Sequence, residues 1–263
     1  MKKRTRPRLL SAIMLFSVFS EAGVVPLIQV DNKPDPRIEI VPIDDVHRSA
    51  IPASLAGTGV ETPPGSFILV NRTATPITAV VVRWTYSDSS GALRQHGLNC
   101  DGYLSAPVRT IVKANDLSLI TPNGCTPQEL FPRLATGALL GSPLKEVVLP
   151  DPRTTTHVYV DSVFFEDGQI LGPDKFDYSS EIGIRFAAVM QFVSEVTTAR
   201  SAGESMPSLL TRIHGNAQST PGKASWLRAY YAGLLQRSPN PEGTLQQLKA
   251  QTPPPTFRHM GGL

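Results

Sequence analysis

Five carboxylates lie close together in one short stretch of the chain and could do chemistry. They are Asp161, Glu166, Asp167, Asp174 and Asp177. Carboxylate oxygens are the ligands that a hard cation such as Ca²⁺ prefers, so the stretch could hold calcium. The spacing matches no EF-hand loop, and a turn with a helix cap would also account for three of the five. Calcium therefore stays an alternative, with Asp161, Glu166, Asp167 and Asp174 as candidate ligands, and we expect no other cofactor.

The same stretch contains Phe165-Glu166-Asp167-Gly168, followed by Gly172-Pro173-Asp174. An Asp-Gly pair between apolar runs predicts a β-hairpin, because Gly adopts positive φ and Asp tolerates it. Gly172-Pro173 then ends the strand, and Asp174 or Asp177 could cap the following helix. The string resembles an F-x-D-G-x-x-x-G-P-D motif of uncharacterised exported bacterial proteins. The resemblance implies bacterial export and a β-rich domain followed by helices, and it transfers no catalytic residue.

The histidines are dispersed along the chain, at His47, His96, His157, His214 and His259. No two lie within one helical turn, so the spacings of zinc sites are missing. The sequence also lacks a G-x-S-x-G elbow, a P-loop and a dinucleotide glycine pattern. A Ser-His-Asp triad can still converge from distant residues. An extracellular hydrolase with a site between the sandwich loops and the C-terminal helices, using Asp161, Glu166 or His157, therefore remains the alternative function.

The first residues have the layout of a secretory signal peptide. Five cations precede an uncharged stretch from Leu9 to Ser20, and Ser20-Glu21-Ala22 provides small residues for cleavage. An apolar stretch of this length is shorter than the roughly 20 residues that cross a bilayer. We expect cleavage after Ala22 and export to the periplasm, cell envelope or medium. An uncleaved signal that anchors the chain in a membrane is the alternative.

The net charge of +3 depends on that leader. Without residues 1–22 the chain has 20 Lys and Arg against 21 Asp and Glu, a net charge of −1. The basic balance therefore gives no argument for nucleic-acid binding. We expect the partner to be a protein or another envelope component.

Only two cysteines are present, Cys100 and Cys125. In an exported chain, two cysteines that flank a loop-rich segment are most simply a disulfide. The alternative, a reactive thiol, lacks the sequence signature of a cysteine protease around either residue. We therefore expect a structural Cys100–Cys125 bridge.

Short apolar runs predict a β-rich region over residues 65–174. The runs 66–71 and 77–86 flank a Pro-containing turn and predict an antiparallel hairpin. Trp84 shares one face of the second run with other apolar residues, so we expect a single buried face with Trp84 in the core. Further strands are predicted at 37–41, 92–96, 110–113, 116–120, 145–149 and 157–165. This number of short strands favours an immunoglobulin-like β-sandwich.

After Asp174 the apolar period becomes helical. Helices are predicted at 177–200, 206–214, 223–237 and 242–250. The expected organisation is a signal peptide at 1–22, a Pro-rich extended segment at 23–64, the sandwich at 65–174, a helical region at 175–251 and a disordered tail at 252–263. The fold class is β-rich α+β, and the predicted function is a non-enzymatic binding or envelope-associated module.

Overall fold

The structure is a computed structural model that describes residues 28–32, 35–44, 52–56, 62–103, 109–127, 154–219, 222–251 and 253–260. These residues form two β-sheets and a group of helices, so the predicted β-rich α+β class is confirmed. The predicted signal segment 1–22 and the strand candidate 145–149 lie outside the described residues. Within the described ranges, no helix has the length and apolar character needed to cross a membrane.

The larger sheet has six strands: β1 (Ile28–Val30), β4 (Ile77–Ser87), β5 (Leu93–Asp101), β8 (Thr156–Phe165), β9 (Gln169–Leu171) and β10 (Arg258–His259). Its path runs β10-β9-β8-β4-β5, and β1 pairs with the beginning of β8. The central strands are antiparallel, whereas β1 and β10 are parallel to β8 and β9. The predicted Asp-Gly hairpin is confirmed as the connection between β8 and β9, where Gly168 has a φ of 87°.

The smaller sheet has four antiparallel strands: β2 (Ile38–Pro42), β3 (Phe67–Asn71), β6 (Leu117–Thr121) and β7 (Gly124–Pro127). Their order is β2-β3-β6-β7, so the strand predicted at 37–41 is an edge strand. The candidate at 110–113 contributes only a single bridge, between Val112 and Ile77. The short helix α1 (Ala53–Ala56) packs Leu55 against one face of this sheet.

One apolar core joins the two sheets. Trp84 of the larger sheet is fully buried in it, with its ring centroid 6.3 Å from that of Phe67 in the smaller sheet. The indole N–H donates to the carbonyl oxygen of Gly65 at 2.9 Å, which satisfies the one polar atom of the ring. The prediction that Trp84 lies in the core is confirmed.

A disulfide also joins the sheets. Cys100 on β5 is bonded to Cys125 on β7, with a Cα–Cα distance of 6.0 Å. The predicted pairing is confirmed, and the bond links two strands that belong to different sheets.

The hairpin predicted from residues 66–71 and 77–86 is wrong. Both strands form, but β3 pairs with β2 and β6 while β4 pairs with β5 and β8. Asn71 fixes the crossing between the sheets: its Nδ2 donates to the carbonyl oxygens of Thr75 and Lys113, and its Oδ1 accepts the N–H of Thr73. The Pro76 turn therefore carries the chain from one sheet to the other.

The expectation of a single buried face on β4 is also wrong for its first half. Ala79 and Val81 are as fully buried as Val80 and Val82, which lie on the opposite face. The helix α2 (Tyr178–Ser201) provides the cover, since its first turns pack on the outer face of the larger sheet. Only the second half of β4 is left uncovered on that outer face.

The helices agree closely with the prediction. Besides α2 they are α3 (Met206–Ser219), α4 (Lys223–Arg237) and α5 (Pro241–Lys249). They share a second apolar core, in which Phe192 of α2 lies against Tyr231 of α4 with ring centroids 5.9 Å apart. Asn240 caps α5 by accepting the N–H of Gly243.

The tail predicted to be disordered from residue 252 returns to the larger sheet over residues 253–260. Strand β10 pairs with β9, and the ring of Phe257 packs edge-on against Phe164 at 5.3 Å between centroids. Gly168 allows this approach, because a Cβ there would lie 2.7 Å from the carbonyl oxygen of Thr256. The partly buried ring of Phe257 packs on the sheet and explains why this proline-rich segment is ordered. The predicted sheet region 65–174 therefore takes strands from both flanking segments.

Candidate functional site

The uncovered part of the outer face of the larger sheet forms a groove of about 590 Å³. Its lining includes Arg83 and Thr85 of β4, Gln95 and Asn99 of β5, Tyr159 of β8, and Phe176 from the turn before α2. This volume is within the range of small-molecule sites. The floor is a set of paired strands and is therefore rigid, which suits a binding surface.

Strand alternation and register place these side chains together. Along β4, Trp84 points to the core while Arg83 and Thr85 point to the groove. Arg83 is directly opposite Gly97 of β5, and Thr85 is opposite Gln95. The residues that line the groove are therefore a consequence of the β4–β5 pairing.

Arg83 is held in a fixed position on this floor. Its Nη1 donates to the carbonyl oxygen of Val82 at 2.8 Å and to Oδ1 of Asn99 at 3.0 Å. The guanidinium lies over Gly97, where a Cβ would come within 2.9 Å of Nη1, and its Cζ is 4.1 Å from the ring centroid of Phe176. Within the described residues, no carboxylate forms an ion pair with Arg83. Burial lowers the pKa of Arg83, and the more distant charges of Asp161 and Glu181 oppose that effect.

A second cation stacks on an aromatic ring beside it. The Nζ of Lys175 is 5.0 Å from the ring centroid of Tyr159, within the range of a cation–π contact. Lys175 is exposed, and Phe176 is 50% exposed. One turn therefore supplies both a charge and an aromatic ring to the rim of the groove.

Asp161 holds that turn in place. It is fully buried and lies at a β-bulge, because the register between β4 and β8 passes from Ser162 to Val160. Its carboxylate accepts the backbone N–H of Lys175 at 3.1 Å and that of Phe176. Burial raises the pKa of Asp161, and these two hydrogen bonds counteract part of that rise.

The other acids of the motif have separate structural roles. Asp167 accepts the N–H of Gln169 in the β8–β9 turn at 3.1 Å. Asp174 caps α2 by accepting the N–H groups of Tyr178 and Ser179, as the sequence predicts for Asp174 or Asp177. Glu166 is exposed at the hairpin. Across the part of the chain that the structure describes, no three His, Cys, Asp or Glu residues are grouped to hold a metal ion.

The residues of the possible hydrolase do not converge. Nδ1 of His157 contacts a carboxylate oxygen of Asp31 at 2.9 Å, at a site where both side chains are well exposed. Glu166 follows the opposite end of β8, which places it about 30 Å from His157 at ordinary strand rise. Asp161 is enclosed between them beneath the Lys175–Phe176 turn.

The structure also shows a buried polar cluster that the sequence interpretation missed. The Tyr178 hydroxyl donates to Asp101 at 2.6 Å, and Arg185 donates to Asp101 and pairs with Glu181. Burial and the neighbouring carboxylate of Asp101 raise the pKa of Tyr178. Because Asp101 ends β5 and the others belong to α2, the cluster fastens the helix to the sheet. The four-residue spacing of Glu181 and Arg185 is the only part of it visible in the sequence.

A second cavity of about 580 Å³ lies between the same sheet, α5 and the returning tail. Thr78, Glu166 and Pro255 are among the residues around it. The hydroxyl of Thr78 donates to that of Tyr103 at 2.9 Å, and burial raises the pKa of Tyr103. No cation lies among its lining residues.

No protein-family model, curated protein or solved structure matches this chain. Strand alternation alone puts Arg83 on the face opposite Trp84, but no pattern in the sequence connects Arg83 with Phe176 or Asn99.

Proposed function

We propose that this chain is an exported, non-enzymatic binding module of the cell envelope, built on an immunoglobulin-like β-sandwich. The observation that carries the proposal is the groove over Arg83, which combines a rigid strand floor with polar and aromatic side chains that point into one concave surface. Such a combination is typical of ligand sites.

Two features support an immunoglobulin-like arrangement. The two sheets share one core that contains a buried tryptophan, Trp84, and a disulfide connects a strand of one sheet with a strand of the other. Both features recur in immunoglobulin domains. The parallel strands β1 and β10 are additions to that plan.

Export is supported by the N-terminal pattern and by the cysteine pair. A disulfide persists in oxidising compartments and is rare in the cytosol. We expect the mature chain to begin at Gly23, and mass measurement of the exported protein checks this cleavage.

The alternative of an extracellular hydrolase has one supporting observation. A carboxylate in contact with Nδ1 of a histidine, as Asp31 contacts His157, is the orienting half of a catalytic triad. The contact is exposed and stands apart from Glu166 and Asp161, so binding is the better supported function.

Site-specific photo-crosslinking tests the binding function. A photoreactive residue replaces Gln95, which is exposed in the groove, and in a matched protein it replaces Ser208, which is exposed on α3. Irradiation of cells that export these proteins should yield a defined adduct from position 95 and none from position 208. Equal adducts from both positions, or none from position 95, would contradict the proposal.

A further inference from the structure

We infer that the groove binds an acidic side chain of an extended polypeptide that lies along the outer edge of β5, with Arg83 as the residue that receives the carboxylate. This inference rests on the proposed binding function and adds the chemistry of the partner.

Both hydrogens of Nη1 are used within the chain, one by Val82 and one by Asn99. In the described residues, Nε and Nη2 of Arg83 donate no hydrogen bond. These two nitrogens form the edge of the guanidinium that matches a carboxylate in bidentate geometry. The bonds that the chain makes therefore leave a carboxylate-binding edge available.

The guanidinium is also fixed before any ligand arrives. Phe176 stacks on it, Asn99 holds Nη1, and Gly97 leaves the space that it occupies. A preorganised side chain loses little conformational entropy when it binds. The burial that lowers the pKa of Arg83 also means that a partly desolvated cation lies here without a carboxylate of the described residues in ion-pair contact.

The charge of the groove has one sign. Arg83 is part of its lining, Lys175 stands at its rim over Tyr159, and no Asp or Glu is among its lining residues. Neither cation forms an ion pair within the described residues. The groove is therefore complementary to an anionic group and repels a cationic one.

The edge of the sheet indicates an extended polypeptide as the carrier of that group. β5 is the last strand of the larger sheet, and no described strand pairs with its outer edge. Unpaired backbone groups of an edge strand can bind an added strand, with alternate side chains directed to one face. Gln95, Gly97 and Asn99 are the β5 residues on the groove face, and because Gly97 has no side chain the guanidinium of Arg83 extends over β5 at this position. An acidic side chain from the added strand can reach Arg83 where the guanidinium lies over Gly97.

Fluorescence anisotropy on the full exported protein tests the inference. The probe is a labelled (Thr-Glu)₃ peptide, compared with (Thr-Gln)₃, (Thr-Lys)₃ and an oligogalacturonate of similar charge. We expect (Thr-Glu)₃ to bind about tenfold or more tightly than each of the other three. Equal binding of the Gln peptide, or tighter binding of the oligogalacturonate, would overturn the inference.

Substitutions test whether Arg83 is the residue that binds the acidic peptide. Arg83→Gln should weaken (Thr-Glu)₃ binding about tenfold or more, and Arg83→Lys should weaken it too, because a lysine cannot form the bidentate contact. Arg258→Gln removes an exposed cation on β10 and should leave binding unchanged. Gly97→Ala displaces the guanidinium while keeping its charge, so it provides a second route if Arg83→Gln folds poorly. Equal losses of peptide affinity in Arg83→Gln and Arg258→Gln would contradict the role of Arg83. Unchanged binding by both Gly97→Ala and Arg83→Gln would contradict it as well.

The two proposals fail in different ways. If the groove binds a partner that is not acidic, crosslinking from position 95 persists while the peptide preference is lost. If the groove binds nothing, both results are negative.

Discussion

The carboxylate of Asp161 accepts the backbone N–H of Lys175 at 3.1 Å. This bond joins a buried bulge residue of the sheet to the turn whose side chains form the rim of the groove. A residue that the sequence offered as a calcium ligand therefore has a role in positioning Lys175 and Phe176.

Replacing Asp161 with Asn should change how stability depends on pH. Because burial raises the pKa of Asp161, the folded protein retains a proton that the unfolded chain releases near the ordinary value of 3.8. The resulting stabilisation is present in full below that value and is lost as the pH rises through the higher folded-state pKa. Relative to the natural protein, the Asp161→Asn variant should therefore gain free energy of unfolding in urea as the pH rises above the ordinary value of 3.8. A difference that stays constant with pH would contradict this account.

Removing the disulfide should destabilise the fold by about 3 kcal/mol, because the bond closes a loop with a sequence separation of 25. Denaturant unfolding of a Cys100→Ser, Cys125→Ser double variant measures the loss. The natural protein should become equally unstable when a reductant is added, and the variant should not respond to it. A reductant effect on the variant would show that the loss has another cause.

Gly172→Ala should be strongly destabilising, by about 3 kcal/mol or more. Gly172 has a φ of 94°, and an added Cβ would meet the carbonyl oxygen of Asp161. Gly203→Ala is the matched control, since its φ is 87° but nothing lies within 4 Å of a new Cβ. Gly203→Ala should lower the free energy of unfolding by about 1 kcal/mol, which is the cost of backbone strain alone. If both variants lost similar amounts of unfolding free energy, the contact with Asp161 would not be the cause of the loss in Gly172→Ala.

Asp101→Asn should cost about 3 kcal/mol, because it leaves the largely buried charge of Arg185 without its closest sheet partner. Tyr178→Phe removes one hydrogen bond to the same carboxylate and should cost only about 1 kcal/mol. Thermal unfolding of both variants gives the comparison. A larger loss from Tyr178→Phe than from Asp101→Asn would mean that the charge is not what fastens α2 to the sheet.

Local signals predicted most of the elements. The helical period over 177–200 predicts α2, and the Pro and Gly residues that flank 223–237 mark the ends of α4. These signals are local because each helix buries one stripe of its own residues. The Asp-Gly turn before Gln169 is equally local. For these elements, the residues that determine the structure are close to one another in the sequence.

Which strands pair with each other could not be predicted from local sequence patterns. The runs that became β3 and β4 are apolar enough to pair with each other, but the Asn71 side chain binds Lys113 and turns the chain toward the other sheet. The groove was missed for a similar reason. Phe176 meets Arg83 because Asp161, which lies at a β-bulge, binds the turn that carries Phe176, and the apolar period does not reveal a bulge.

The crossing between β3 and β4 has a kinetic consequence. Because β4 pairs with β8 and not with β3, the larger sheet depends on contacts between distant parts of the chain, such as Val80 with Val163. Contacts of that kind form slowly. The Cys100–Cys125 bond closes a much shorter loop and can join the two sheets before β8 is in place. We therefore expect the protein to refold faster from denaturant when the Cys100–Cys125 bond is intact than when it has been reduced and must form again.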